Sequence, residues 1–231
     1  MQIHGFNKTT LLDYPRHLAA TIFLGGCNMR CPFCHNASLI TDVTSQPMIP
    51  EQEVLTYLAK RKGILEGVCV TGGEPTLQPD LAAFISKLKA LGLKVKLDTN
   101  GTNPRLIKSL VEDGLIDYVA MDIKNSFEKY AITAGLNHLS IEPIRESVDF
   151  LLSSHLNYEF RTTIVKEYHD REDMLSIGRL LSGAKAYYLQ SYKDSGDILQ
   201  PGLHSHTRET LDDYVKLLAP MIPSVSIRGL D

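Results

Sequence analysis

The sequence predicts an α/β fold made of βα units. Two architectures fit: a partial, open (β/α)6 barrel of TIM type, and a doubly wound sheet. Three observations lead there. Short apolar runs alternate with segments of helical period. Six such units can be traced, too few for a closed eight-fold barrel. Polar or glycine-rich clusters follow the predicted strands, where parallel α/β folds gather their chemistry. No repeat, low-complexity tract or linker interrupts the 231 residues. One domain over 1–231 is expected, with a core at about 17–193 and a terminal helix and strand within 204–231.

The first strand is expected at Ala19 to Leu24, and a helix at about 51–61. The second strand runs from Gly67 to Thr71. In the next helix Leu81, Phe84, Ile85, Leu88 and Leu91 form an apolar stripe, and Gly92 stands at its C-terminal cap. Leu93 to Leu97 make the third strand. Asn103 caps a helix that has Pro104 at its first position and Gly114 past its end. The fourth strand is Asp117 to Met121. A helix follows, carrying Ile141, Ile144, Val148, Leu151 and Leu152. Then come a strand at Tyr158 to Val165, a helix at about 171–182, and a strand at Ala186 to Leu189. A helix near 208–218 and a strand at Val225 to Ile227 end the chain.

The composition is that of an ordinary folded protein, 43 % hydrophobic and 22 % charged. The net charge of -3 does not suggest a nucleic-acid partner. No apolar run approaches the ~20 residues that span a bilayer. The first residues lack the features of a signal peptide, so a cytoplasmic location is expected.

Four cysteines are too few for a disulfide framework. Cys27, Cys31 and Cys34 lie on one loop; Cys69 lies inside a strand and is expected to be a small buried hydrophobe. Three thiolates can hold iron or zinc and leave one metal position open for chemistry. A zinc knuckle of Cys27, Cys31, Cys34 and His35, in an interaction module, is the competing reading.

Cys27-x3-Cys31-x2-Cys34, with Phe33 before the last cysteine, resembles the signature of radical S-adenosylmethionine (SAM) enzymes. Gly72-Gly73-Glu74 after the second strand is similar to their GGE motif. The resemblance runs from about Gly5 to Lys193. It is closest to the short glycyl-radical-enzyme activases, through Cys34-His35-Asn36, Asp98-Thr99-Asn100-Gly101 and Asp122-x-Lys124. The opening Gly5-x2-Lys8-Thr9-Thr10-Leu11-Leu12-Asp13-Tyr14-Pro15 resembles activases of anaerobic ribonucleoside-triphosphate reductase.

The resemblance implies a [4Fe–4S] cluster on Cys27, Cys31 and Cys34, with SAM on its open iron. It implies SAM contacts from Phe33, Asn36, Gly72, Gly73, Glu74, Asp122 and Lys124, and a monovalent cation at Asp98 and Thr99. Phe33 would pack on adenine, and Asn36 would tune the cluster. Arg161 is a candidate for the SAM carboxylate, with an inter-strand ion pair as the alternative. Lys193, near Gln190 and Tyr192, stands where a related activase has an adenine-contacting histidine. His204 and His206 match no motif and are expected to be solvated. The implied substrate is the glycyl loop of anaerobic ribonucleotide reductase. With no cysteines left for auxiliary clusters, electrons would come from a flavodoxin- or ferredoxin-type donor. A radical SAM enzyme acting on a small molecule is the alternative within the superfamily.

Overall fold

A computed structural model of the chain describes residues 1–230. Eight strands form one sheet in chain order: β1 (Ile3–Thr10), β2 (Ala19–Leu24), β3 (Gly67–Gly72), β4 (Lys94–Thr99), β5 (Tyr118–Asp122), β6 (Asn157–Ile164), β7 (Tyr187–Ser191) and β8 (Val225–Arg228). β1 and β8 are its ends, so the sheet does not close. β1 runs antiparallel to β2; β2, β3 and β4 are parallel, as are β6, β7 and β8.

The chain divides into two compact units. Unit 1 holds residues 1–28 and 38–120; among the described residues unit 2 holds 29–37 and 121–230. Unit 1 contains α1 (Ser38–Thr41), α2 (Glu51–Lys60), α3 (Leu81–Ala90) and α4 (Pro104–Glu112). Its core is fully buried Ile22, Leu24, Val68, Val70, Val95 and Leu97 from the strands, with Leu58 and Ile85 from the helices. Burying each such side chain contributes about 1.5–3 kcal/mol. Asn103 accepts a hydrogen bond from the Leu106 N–H at 3.3 Å and caps α4.

Unit 2 contains α5 (Tyr130–Thr133), α6 (Glu142–Ser153), α7 (Arg171–Leu180) and α8 (Arg208–Leu218). Ile144, Val148 and Leu151 of α6 and Met174 and Ile177 of α7 are fully buried, as are Phe160 and Tyr187 of the sheet. Asp170 and Asp173 form a reciprocal capping box at the start of α7.

β1 has no counterpart among the expected elements. Its sequence, Ile-His-Gly-Phe-Asn-Lys-Thr-Thr, has neither an apolar run nor strict alternation. It is an edge strand with a single neighbour, and its exposed residues Asn7, Lys8 and Thr9 are tolerated there. Cys69 is fully buried, as expected, but its neighbour is charged. Thr21, Cys69 and Lys96 pair across β2, β3 and β4, and Lys96 Nζ lies 3.7 Å from Cys69 Sγ. Lys96, only 2 % exposed, also pairs with Asp98.

Candidate active site

In unit 1 the strand ends are built around one carboxylate. Glu74 follows β3 and is 1 % exposed. Its Oε1 accepts the Thr76 N–H at 3.1 Å, the Thr76 hydroxyl at 2.6 Å and the Thr99 hydroxyl at 2.7 Å. Its Oε2 accepts the Asn100 N–H at 2.7 Å. Burial pushes the Glu74 carboxyl up, and these donors pull it back. Glu74 therefore organises the exits of β3 and β4. Thr99 gives its hydroxyl hydrogen to Glu74, and Asp98 carries the Lys96 ammonium.

The two glycines before Glu74 are required by the chain itself. Gly72 has φ +117°, a conformation open to glycine. A Cβ at Gly72 would stand 2.3 Å from the Leu24 backbone, and one at Gly73 would stand 1.9 Å from the Gly26 carbonyl oxygen. The resemblance implies SAM contacts for both glycines; the close approach seen in the structure is to β2 and the start of the cysteine loop.

Asn100 reaches that loop. Its Nδ2 lies 2.8 Å from Asn28 Oδ1 and 4.0 Å from Cys27 Sγ. Asn28 in turn donates to Thr102 Oγ1 at 2.9 Å, and the Thr102 hydroxyl donates to Asn100 Oδ1 at 2.7 Å. Asn28, Asn100 and Thr102 thus close a ring of hydrogen bonds beside the Cys27 sulfur. The side-chain role of Asn100 was not foreseen, because Thr-Asn-Gly before a helix also reads as an ordinary turn.

In unit 2 full charges surround the site residues. Arg161 Nε donates to Asp122 Oδ1 at 2.9 Å, and Lys124 Nζ lies 3.2 Å from Asp122 Oδ2. Arg161 thus makes the inter-strand ion pair, β6 to β5. Burial would raise the Asp122 carboxyl, but Arg161 and Lys124 hold it down at about 2. Burial would likewise lower the Lys124 ammonium, but Asp122, Cys31 and Tyr130 keep it well above its ordinary range. Lys124 therefore stays charged beside Cys31 and Cys34. Burial pushes the Cys34 thiol up, while the Asn36 backbone N–H and Lys124 favour its thiolate. Asn36 thus acts on sulfur through its main chain.

Phe33, 4 % exposed, packs against Tyr168 and His169 with ring centroids 6.0 and 6.3 Å apart. His35 is exposed, and its ring lies 5.9 Å from Tyr192, whose buried hydroxyl has no hydrogen-bond partner among the described residues. His35, Gln190, Lys193 and Arg228 line a cavity of about 380 Å³ at the ends of β6, β7 and β8. His204 is exposed and paired with Glu167 at 2.7 Å. His206 corrects its expected solvation: it is half-buried and donates to the His169 carbonyl at 2.9 Å. The sequence carried no signal for that contact, since its partner lies 37 residues away.

The radical SAM superfamily profile matches residues 21–181. The chain belongs to the radical SAM superfamily. Its fold is the superfamily's partial, open barrel. A solved structure of Streptococcus suis SuiB bound to S-adenosylmethionine superposes with a TM-score of 0.68 at 14 % identity, covering 88 % of this chain and 48 % of SuiB. A protein of Methanocaldococcus jannaschii, named as a candidate glycyl-radical enzyme activating enzyme, is 31 % identical over 239 residues; the match takes in 99 % of this chain and 96 % of that one. The pyruvate formate-lyase 1-activating enzyme of Escherichia coli is 29 % identical over 181 residues, 74 % of this chain and 71 % of that one.

The superfamily's cofactors are a [4Fe–4S] cluster and SAM. None of the four cysteines is in a disulfide. Among the described residues no three His, Cys, Asp or Glu side chains are gathered tightly enough to hold a metal ion. The fit to a cluster lies in the donor chemistry instead. Cys27 has an amide N–H donor at hand, Cys34 a backbone N–H, and Cys31 and Cys34 an ammonium. Such groups stabilise sulfur as thiolate and tune an iron–sulfur centre. Superfamily membership removes the zinc-knuckle reading. No helix among the described residues is long and apolar enough to cross a membrane.

Proposed function

We propose that this radical SAM enzyme installs a glycyl radical on a partner protein, and that the partner is an anaerobic ribonucleoside-triphosphate reductase. The observation that carries this reading is the match with the M. jannaschii protein over nearly all of both chains. The opening motif from Gly5 to Pro15 narrows it to the reductase. Leu11 and Leu12 of that motif, 75 % and 89 % exposed, give a protein partner apolar surface to meet.

Cys27, Cys31 and Cys34 would hold the cluster, which when bound would supply the electron for reductive cleavage of SAM and so the means to remove a hydrogen atom from the glycine Cα. The protein supplies binding and electrostatics. Carbonyl oxygens of Gly72 and Gly73 accept from the methionine ammonium. Glu74 acts by holding Thr99 and Asn100 in place. Asp122, Lys124 and Arg161 present the donors and acceptors for the carboxylate and ribose of SAM. Phe33 offers a ring to adenine. Asp98 and Thr99 are the candidate site for a monovalent cation, with the Lys96 ammonium already on Asp98. Electrons come from a flavodoxin- or ferredoxin-type protein, and the reducing cytoplasm suits four cysteines that form no disulfide.

The test is anaerobic. Reduced, cluster-loaded enzyme, SAM and the candidate reductase are mixed and examined by electron paramagnetic resonance. A glycyl doublet is expected. SAM cleavage without a doublet would sink the partner assignment and leave the superfamily chemistry standing.

A further inference from the structure

His169 lies between β6 and the Asp170 cap of α7, and it is 1 % exposed. A histidine at that depth is costly unless both ring nitrogens are partnered. Nε2 lies 2.8 Å from the Lys124 carbonyl oxygen; Nδ1 lies 3.1 Å from the Val165 backbone nitrogen and 3.2 Å from the Val165 carbonyl oxygen, which already accepts the His169 N–H at 2.9 Å. A carbonyl oxygen only accepts; Nε2 has the shorter contact to one and faces no donor, whereas Nδ1 faces the Val165 N–H, so Nε2 carries the hydrogen and donates to Lys124. Nδ1 is then the acceptor for the Val165 N–H. Burial lowers the His169 pKa, in keeping with a neutral ring. The ring also packs edge-on against Phe33. One imidazole therefore ties together Phe33 of the cysteine loop, the exit of β5 at Lys124 and the exit of β6 at Val165.

We infer that His169 is a positioning residue for SAM binding, acting through the Lys124 peptide and the Phe33 ring. The inference rests on the reading that Lys124 and Phe33 meet SAM. The Nε2 hydrogen bond fixes the peptide from which the Lys124 side chain leaves toward Asp122. The edge contact fixes the tilt of Phe33. His169 itself touches no reacting group.

The two nitrogens can be separated by substitution. A glutamine amide reaches the Nε2 position and keeps a donor for Lys124. An asparagine amide reaches only the Nδ1 position. His169→Gln and His169→Asn are compared in the cluster-loaded full chain, without oxygen. The readouts are the SAM dissociation constant by calorimetry, KM and kcat for SAM cleavage, and the melting temperature. We expect His169→Asn to raise the dissociation constant and KM about fivefold to tenfold, the loss of one buried hydrogen bond, with kcat at saturating SAM nearly unchanged. His169→Gln should recover most of that affinity although both variants melt earlier than the native chain. Equal SAM weakening in the two variants, or none in either, overturns the inference and makes His169 a packing residue.

Two controls complete the test. If the variants fail to fold, 15N-histidine spectra of the native, iron-free chain decide. A neutral Nε2–H tautomer for His169 is expected, and an Nδ1–H tautomer overturns the inference. Lys124→Met separates the two levels of argument. If it leaves SAM affinity unchanged, the Lys124 reading itself fails. If it weakens SAM while both His169 variants bind normally, only the role of His169 fails.

Discussion

Unit 1 and unit 2 treat their cysteines by different physical means. Around Cys27 the groups are neutral: the amides of Asn28 and Asn100 and the hydroxyl of Thr102, closed into a ring and anchored from below by the buried Glu74. Around Cys31 and Cys34 they are charged: Lys124 with Asp122 and, behind it, Arg161. Dipoles locked in a ring act on one sulfur at short range. A buried ammonium acts on two sulfurs at once, and salt screens it little at that depth. The difference predicts that unit 1 is broken by geometry and unit 2 by protonation or charge removal.

The largest effect should come from removing a sulfur. Cys31→Ala should abolish cluster assembly, whereas Cys69→Ala should retain it, as iron and sulfide counts on the anaerobically purified variants will show. Retention of four irons by Cys31→Ala would contradict the ligand assignment. Next comes the anchor of unit 1. Glu74→Ala leaves Thr76, Thr99 and Asn100 donors buried without their acceptor and should cost at least about 3 kcal/mol in denaturant unfolding of the iron-free chain.

Asp122→Asn tests the charged half. In the folded chain the Asp122 carboxyl is depressed from 3.8 to about 2. Its stabilisation is present above about pH 4 and is lost as pH falls toward 2, roughly 2 kcal/mol in all. The native chain should show that loss in acid melts and Asp122→Asn should not; identical acid profiles would count against the ion cluster. The smallest effect belongs to the amide ring. Asn100→Ala removes an N–H donor from Cys27 and should lower the cluster's reduction potential while iron content stays full. An unchanged potential in a redox titration would detach Asn100 from the sulfur.

Much of the fold was legible because its signals are local. The run Ala19 to Leu24 is β2 to the residue, and Asn103, Pro104 and Gly114 mark the ends of α4 through capping alone. Those rules fail at β1, a polar edge strand whose partner lies further along the chain. The site residues were legible as motifs, but their partners were not. Glu74 stood out beside two glycines, yet its four hydrogen bonds reach as far as Asn100. His169 carried no motif at all; its importance comes from Lys124, 45 residues away, and from Phe33. Long-range pairing of polar groups is decided by the register of the sheet, which apolar periodicity does not reveal.

Two glycines far from each other in sequence put a limit on how this enzyme can vary. In unit 1, Gly73 leaves no space for a methyl group against Gly26, whose carbonyl oxygen takes the Glu74 N–H at 2.8 Å. In unit 2, Gly135 leaves none against Arg30, a Cβ there standing 1.9 Å from its carbonyl oxygen, and Arg30 N–H donates to Ala134 at 2.8 Å. The cysteine loop thus meets close main chain at Gly26 in unit 1 and, separately, at Arg30 in unit 2. A survey of tolerated substitutions should find Gly135, which no motif marks, as unforgiving as the cysteines themselves, and a search pattern for relatives gains discrimination by requiring it.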